Sequence, residues 1–184
     1  MLWVKLSLML SILLSIVVGC SDLKARSEFK KAKELEAAGK YQAAIIKYET
    51  IVMNYAGTQY ADSARSSLEK LTSFEFIARI VMDRMNKGAS PEVALGEFTG
   101  LKVKWRAIVG SICCGLSSYN PPVVFKIGKL EFYGIPSYGL DRLKFLVFCE
   151  RNEGKLVTVE GTLISASDWP GTPLVVEVNA LSLE

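Results

Sequence analysis

The spacing of apolar residues changes at Gly100, and this change constrains the fold more than any other feature of the sequence. Before Gly100, apolar residues recur every three or four positions, which is the spacing of one face of an α-helix. After Gly100, valine and aromatic residues alternate with polar residues, which is the pattern of a strand with one buried face. The sequence therefore predicts an α+β protein in which helices precede strands.

Three helices are predicted in the first half of the chain. The first ends at Gly39, a residue type common just beyond a helix C-terminus, and the third starts around Thr58. The residues predicted to face inward are Phe29, Ala32, Leu35 and Ala38 in the first helix, Tyr41, Ala44, Ile45, Tyr48, Ile51 and Val52 in the second, and Tyr60, Ala61, Ala64, Leu68 and Leu71 in the third.

Two further helical segments are predicted before the strands. The tract SFEFIARIVMDRMNKG extends the helical region to Gly88, and ASPEVALGEF opens a short helix with Ser90 as its N-cap. The stripe formed by Phe74, Phe76 and Met82 has two interpretations. Packing between helices is favoured over docking of another protein.

The first helices resemble a tetratricopeptide repeat (TPR) of the kind found in outer-membrane assembly lipoproteins. The matching positions are Ala32, Gly39, Tyr41, Ala44 and Tyr48. Small residues at such positions let two antiparallel helices approach closely, and tyrosine fills the space beside them. The resemblance implies a TPR-like helical region over residues 20–99. Only about one and a half repeats are visible, and such repeats usually need three or more copies to be stable. We therefore expect the helices to pack against the strand half or against a partner.

Strands are predicted in the second half from five segments: LKVKWRAIVGSICC, PPVVFKIGKLEFYG, LKFLVFCE, GKLVTVEGTLISAS and PLVVEVNALSLE. In the last segment, the alternation of apolar residues shifts by one position, so a β-bulge is predicted near Ala180. Gly161 is predicted to lie at a bend or bulge. About five strands suit a small closed barrel, since closure removes exposed edges. The residues predicted to face inward are Val103, Trp105, Ala107, Val109, Val157, Val159, Leu163, Leu174, Val176, Val178 and Ala180.

The segments FTGLKVKW and EGKLVTVEGTLIS resemble parts of an oligonucleotide/oligosaccharide-binding (OB) fold, particularly of variants related to the transfer-RNA anticodon-binding barrel. The resemblance implies a five-stranded OB-like β-barrel domain over residues 100–184, with a ligand across its central strands. Aromatic residues in a small barrel more often fill its interior, so none is assigned as a site residue. The candidates for ligand contact are Arg106, Phe125, Lys126, Phe132, Tyr133 and Tyr138.

The segment SIVVGCSD ends an apolar run that begins at Leu6. The run to Val18 makes about 20 Å of helix, which is shorter than the roughly 30 Å hydrocarbon core of a bilayer, so a signal peptide is favoured over a membrane span. The end VVGC resembles the lipobox of bacterial lipoproteins. That resemblance implies a lipoprotein signal peptide over residues 1–19 and lipid attachment, including palmitate, at Cys20.

Two alternatives to the lipobox are an uncleaved anchor helix and a plain secretory leader. The residue after Cys20 is Ser21 rather than aspartate. In the lipoproteins that this segment resembles, an aspartate directly after the cysteine retains the protein in the inner membrane. The resemblance therefore favours the outer membrane.

The sequence contains no histidine. This excludes a Ser-His-Asp triad, a Cys-His pair and histidine-ligated zinc. We therefore predict that the protein is not an enzyme and that it has no cofactor and no metal site. The formal net charge is only +3, and neither half of the chain is strongly basic, so the charge does not favour nucleic acid.

Three cysteines follow Cys20, in a compartment that favours disulfides. If the first strand extends that far, Cys113 shares a face with Trp105 and Val109, and a Cys113–Cys149 disulfide is predicted. A turn at residues 113 and 114 would reopen the choice of partner. The alternative is three buried, reduced cysteines that act as small apolar residues.

Together these features predict a membrane-anchored cell-envelope lipoprotein that acts as a non-catalytic binding or assembly module. Its partners would be the lipid bilayer, through acylated Cys20, and another envelope protein in contact with the helices and the barrel. The alternative is a periplasmic or surface OB-type binder of single-stranded nucleic acid or oligosaccharide, which the near-neutral charge does not support.

Overall fold

The computed structural model of the protein describes residues 21–112, 122–164 and 174–184. These residues contain six α-helices, one short 3₁₀-helix and five β-strands, so the predicted α+β class is confirmed. The helices are α1 (21–37), α2 (Tyr41–Asn54), α3 (Gln59–Leu71), α4 (Phe74–Asn86), α5 (Pro91–Leu95) and α6 (Arg142–Arg151), and the 3₁₀-helix is Gly96–Phe98. The strands are β1 (Lys102–Ile112), β2 (Val123–Ile127), β3 (Leu130–Pro136), β4 (Leu156–Ile164) and β5 (Val175–Leu183).

The chain divides into two compact units between Leu71 and Thr72. The first unit contains α1, α2 and α3, and the second contains all the remaining helices and the strands. We predicted that residues 72–99 belong with the helical region, whereas the structure groups α4 and α5 with the strands. The reason lies in the contacts of α4 with the sheet.

The first unit packs through small residues, as the sequence predicts. Ala32, Ala44 and Ala64 are fully buried in α1, α2 and α3 respectively. Tyr48 is also fully buried, and its ring centroid lies 5.6 Å from that of Phe29 in α1. Ala38 is exposed, contrary to the prediction, because α1 ends at residue 37 and the chain leaves the helical path there.

The second unit is built on a five-stranded sheet. β1 is antiparallel to β2 and β4, β2 to β3, and β4 to β5, whereas β3 and β5 are parallel. Every strand therefore has two neighbours, and the order β1-β2-β3-β5-β4 returns to β1. The inward residues predicted for β1 and β4 are confirmed as buried: Val103, Trp105, Ala107, Val109, Val157, Val159 and Leu163.

α4 contacts the sheet through aromatic side chains at its N-terminal end. The ring centroid of Phe74 lies 5.0 Å from that of Trp105 in β1 and 5.6 Å from that of Phe132 in β3. Trp105 Nε1 also donates a hydrogen bond of 2.9 Å to the carbonyl of Thr72. Phe74 and Phe76 are buried, so core packing is confirmed for them, whereas Met82 is 42% exposed.

The predicted β-bulge near Ala180 is confirmed. Glu160 pairs with Ala180 and Gly161 pairs with Val178, so Asn179 is an extra residue in β5. Ala180 was predicted to face inward but is exposed, because the extra residue shifts the alternation of β5 by one position.

One strand prediction is wrong. The segment LKFLVFCE lies in α6 and not in a strand. The Asp141 side chain caps the helix by accepting a hydrogen bond of 3.1 Å from the backbone N–H of Lys144. The apolar run from Phe145 to Cys149 lacks the alternation of a half-buried strand, and its length alone does not separate a short helix from a strand.

The close packing at Gly161 gives a first testable prediction. A Cβ atom at this position would lie 2.5 Å from Val176 Cγ1 and closer still to the carbonyl oxygen of Glu177. We expect Gly161→Ala to lower the free energy of unfolding by roughly 1–3 kcal/mol, the usual cost of overpacking. Urea unfolding followed by tryptophan fluorescence measures this value. The control is Gly139→Ala, where a Cβ meets nothing within 4 Å, and equal stability of the two variants would contradict the packing argument.

Candidate functional site

Two of the three predicted site residues lie outside the described residues. These two are Cys20, the predicted lipid attachment site, and Cys113, the predicted disulfide partner of Cys149. Cys149 lies on α6 and is 1% exposed. Burial raises the pKa of this thiol to about 12, so at neutral pH the side chain is a small, neutral, apolar group. The lipid attachment and the disulfide stay predictions.

Two of the aromatic candidates for ligand contact are interior residues. Phe125 and Phe132 are fully buried, and their rings stack with centroids 5.3 Å apart. The ring of Trp105 meets Phe132 edge-on at 5.2 Å. These rings fill the space enclosed by the strands, so they cannot stack on a base without unfolding of the unit. Among the other candidates, Tyr133 is half-buried in β3 and Tyr138 is fully exposed after it.

The basic candidates on the outer face of the sheet are each paired with a glutamate. Arg106 Nε donates a hydrogen bond of 2.7 Å to Glu184 Oε1. This hydrogen bond, together with a second one from Thr158, holds the pKa of Glu184 below its usual value. Lys126 and Glu131 form an ion pair of 3.0 Å across β2 and β3. The positive charge that a phosphate backbone needs is therefore largely neutralised within the sheet.

The structure shows a groove between α6 and β5 that the sequence did not predict. It has a volume of about 170 Å³. Among the described lining residues, Lys144 is the only charged one, and it stands at the rim with its side chain 85% exposed. The apolar lining residues are Leu140, Phe145, Phe148 and Leu181. A pocket of this size and character suits one apolar side chain.

Two leucines on the elements that form the groove are exposed. Leu143 on α6 is 72% exposed, and Leu183 at the end of β5 is 51% exposed. The sequence-based prediction missed this groove because residues 143–150 were assigned to a strand. The available signal was Asp141, an N-cap residue three positions before Lys144.

The first unit contains a polar cluster centred on Glu36 of α1. Its carboxylate accepts hydrogen bonds from Lys33 Nζ at 3.0 Å, Lys70 Nζ at 3.0 Å and Tyr48 Oη at 2.8 Å. These donors lie on α1, α3 and α2, so one carboxylate links all three helices. Burial alone would raise the pKa of Glu36, but the three hydrogen bonds outweigh it and lower the pKa to about 2.

Two properties of the described residues bear on a membrane or metal role. No helix within them is both long and apolar enough to cross a membrane. Across the same ranges, no group of three or more acidic or cysteine side chains is arranged to hold a metal ion. The predictions of a lipid anchor and of no metal site remain untested, because residues 1–20, 113–121 and 165–173 are outside this description.

Comparison with known proteins finds little similarity. No protein-family model matches the chain, and no curated protein is significantly similar to it in sequence. Two solved structures of asparaginyl-tRNA synthetase from Pyrococcus horikoshii, one of them complexed with asparaginyl-adenylate, match 47% of this chain at 16% identity and a TM-score of 0.39. The match spans 20% of the length of that enzyme. A TM-score of this size does not establish a common fold.

The lowered pKa of Glu36 predicts acid sensitivity of the first unit. Because the pKa in the folded state, about 2, is below the ordinary value of 4.5, the ionised carboxylate stabilises the fold above about pH 4.5. This contribution is lost as the pH falls from 4.5 towards 2. Since the lysine partners are exposed, we expect the loss to be on the order of 1–2 kcal/mol. Thermal unfolding followed by far-UV circular dichroism at several pH values measures it.

The control for this prediction is a second carboxylate of the same unit. Glu36→Gln should weaken the pH dependence and lower stability at neutral pH, because it replaces the ionised acceptor by a neutral amide. Glu49→Gln, at an exposed position on α2, should leave the pH dependence unchanged. Equal effects of the two substitutions would contradict the role given to the Glu36 cluster.

Proposed function

We propose that this chain is a lipid-anchored protein of the bacterial cell envelope that acts as a non-catalytic binding or assembly module. The observation that carries the proposal is the sequence VVGC at the end of a short apolar leader, with Cys20 as the acylated residue. Several acyl chains on one cysteine give stable anchoring where one chain would be marginal. Ser21 after the cysteine favours the outer membrane.

We infer finer fold relationships for the two units. The first unit is TPR-like, and the support is the full burial of Ala32, Ala44 and Tyr48 in the helices α1 and α2, which a short turn connects. The second unit is an OB-like barrel, and the support is the strand order β1-β2-β3-β5-β4 with α6 inserted between β3 and β4. Both units are modules of a kind that serve binding functions on many unrelated proteins.

In this proposal, the partner that the protein binds is another envelope protein. This role is supported by the apolar groove between α6 and β5 and by the exposed Leu143 and Leu183 on the same two elements. Exposed apolar side chains next to a concave pocket are typical of protein-binding surfaces. The complete absence of histidine from the chain adds to the case for binding rather than acid–base catalysis.

Recognition of single-stranded nucleic acid or oligosaccharide is the second candidate. The strand order favours it, because OB barrels bind such ligands on the face of their second and third strands. Two observations weigh against it. Phe125 and Phe132 are buried inside the sheet, and Arg106 and Lys126 are paired with glutamates on its surface.

Metabolic labelling tests the lipid anchor. We expect cells expressing the full chain to incorporate labelled palmitate into it, and the Cys20→Ala variant to lose the label and to keep its full-length mass, because the lipid is added to the cysteine thiol before cleavage. The matched control is Cys149→Ala, which should stay labelled. Membrane association without label in the parent chain would contradict lipidation and support an uncleaved anchor helix.

Co-purification tests the binding role. We expect the lipidated protein, extracted from membranes in detergent, to recover a protein partner in constant proportion. Titration with single-stranded oligonucleotides and with oligosaccharides at low salt is the comparison, since phosphate contacts weaken steeply as salt rises. Binding of either ligand with no protein partner would overturn the proposal in favour of the second candidate.

A further inference from the structure

Within the part of the chain that the structure describes, one edge of β5 lacks a neighbouring strand over its last residues. Pairing with β3 ends at Pro136 and Val178, and the last hydrogen bond there is 2.8 Å long, from Ser137 N–H to the Val178 carbonyl. Beyond the bulge, Ala180 to Leu183 pair with β4 alone. Within the described residues, the opposite side of this stretch is therefore an open sheet edge.

The backbone of Leu181 and Leu183 faces this open edge. On β4, Leu163 uses both of its backbone groups towards β1, donating to the Leu101 carbonyl at 2.9 Å and accepting from Gly100 N–H at 2.8 Å. Because backbone groups alternate sides along a strand, Thr158 and Glu160 turn towards β5. Their partners are Ser182 and Ala180. The intervening leucines present their N–H and C=O groups to the other side.

The side chain of Leu181 brings this edge next to the α6 groove. Leu181 pairs with Val159, which is fully buried, so the two side chains share the inner face of the sheet. There Leu181 lines the groove together with Phe145 and Phe148 of α6. An extended chain added to the edge opposite Leu181 would direct every second side chain to the same inner face, and one of these would enter the groove.

We propose that residues Ala180 to Leu183 and the α6 groove bind an extended peptide segment of a partner protein by strand addition. The segment has an apolar side chain that fills the groove and a carboxylate beside it. This proposal rests on the protein-binding role given above, and it names the surface and the chemistry of the partner. An open edge flanked by a helix with an apolar pocket is a known arrangement for such binding, in which backbone hydrogen bonds give affinity and the pocket gives specificity.

The charge at the groove selects an acidic segment. Lys144 is the only charged residue among the described lining residues, and its Nζ forms an ion pair of 3.6 Å with Asp141 Oδ2. The other oxygen of Asp141 accepts the capping hydrogen bond from Lys144 N–H. Asp141 is thus committed to the helix terminus and neutralises the exposed ammonium only in part.

A peptide titration with the full chain in detergent tests the proposal. The probes are two short fluorescein-labelled peptides in which leucine or valine alternates with threonine. One carries glutamate and the other lysine beside the central leucine. By fluorescence anisotropy, the glutamate peptide should bind about tenfold more tightly. N-methylation of its backbone on the edge that meets β5 should weaken binding by about tenfold, because hydrogen bonds to Leu181 and Leu183 are lost.

Protein variants make the test specific to the groove. Leu181→Glu should abolish binding, whereas Leu130→Glu, at a leucine that is 43% exposed at the start of β3, should not change it. Lys144→Glu should reverse the preference between the two peptides. This variant should fold normally, because glutamate at the third helical position after the Asp141 cap suits the helix terminus. Circular dichroism confirms folding of each variant.

Several outcomes would overturn the proposal. These are equal binding of the glutamate and lysine peptides, unchanged binding of the N-methylated peptide, or no binding of any peptide. A dimer that Leu181→Glu abolishes, with no peptide binding, would assign the edge to a second copy of this chain. If peptides fail while a partner still co-purifies from membranes, strand addition is wrong and the proposed binding role stands.

Discussion

The contact between Trp105 and its aromatic neighbours is the interaction on which the second unit depends. Trp105 meets Phe74 at 5.0 Å and Phe132 at 5.2 Å, and both contacts are edge-on. Each such pair adds about 0.5–1.5 kcal/mol to the burial of the rings. The indole N–H, which would be costly to bury unpaired, donates to the Thr72 carbonyl. One side chain thus joins the sheet to the segment that begins α4.

Aromatic rings fill the interior of the second unit, and this limits where the unit can bind a ligand. Phe132 stacks on Phe125, and Gly134 lies so close that a Cβ there would be 2.9 Å from Phe125 Cδ2. Within the described residues these rings occupy the interior, so the outer surfaces are where the proposed binding is expected. The sheet surface between β1 and β4 carries ion pairs such as Lys104–Glu160, 2.6 Å apart. The described lining of the groove beside α6 contains one cation and four apolar residues, so the groove differs from the sheet surface in the chemistry that it offers.

Local pattern predicted the strands well, because burial of every second residue is a local property. Val103 to Val109 in β1 alternate as expected, and the phase shift in the last strand located the bulge to within one residue. The secondary structure of residues 143–150 was not predictable in this way, since a short apolar run is compatible with either a helix or a strand. The Asp141 cap decides between them in the structure. Contacts between residues far apart in sequence determine which unit contains Phe74. The same is true of the groove that Phe148 and Leu181 line.

The bulge at Asn179 connects the sheet to the groove. If Asn179 paired with Glu160 in a regular strand, Ala180 would share the inner face with Val178 and Leu181 would point outward, since a one-residue shift turns every later side chain over. With the bulge, Leu181 lies opposite α6, just after Val178 makes its last bond to the β3 side. Bulges often end pairing or redirect a side chain. Here the single inserted residue redirects the Leu181 side chain at the point where pairing with β3 ends. An apolar pocket therefore adjoins an open strand edge.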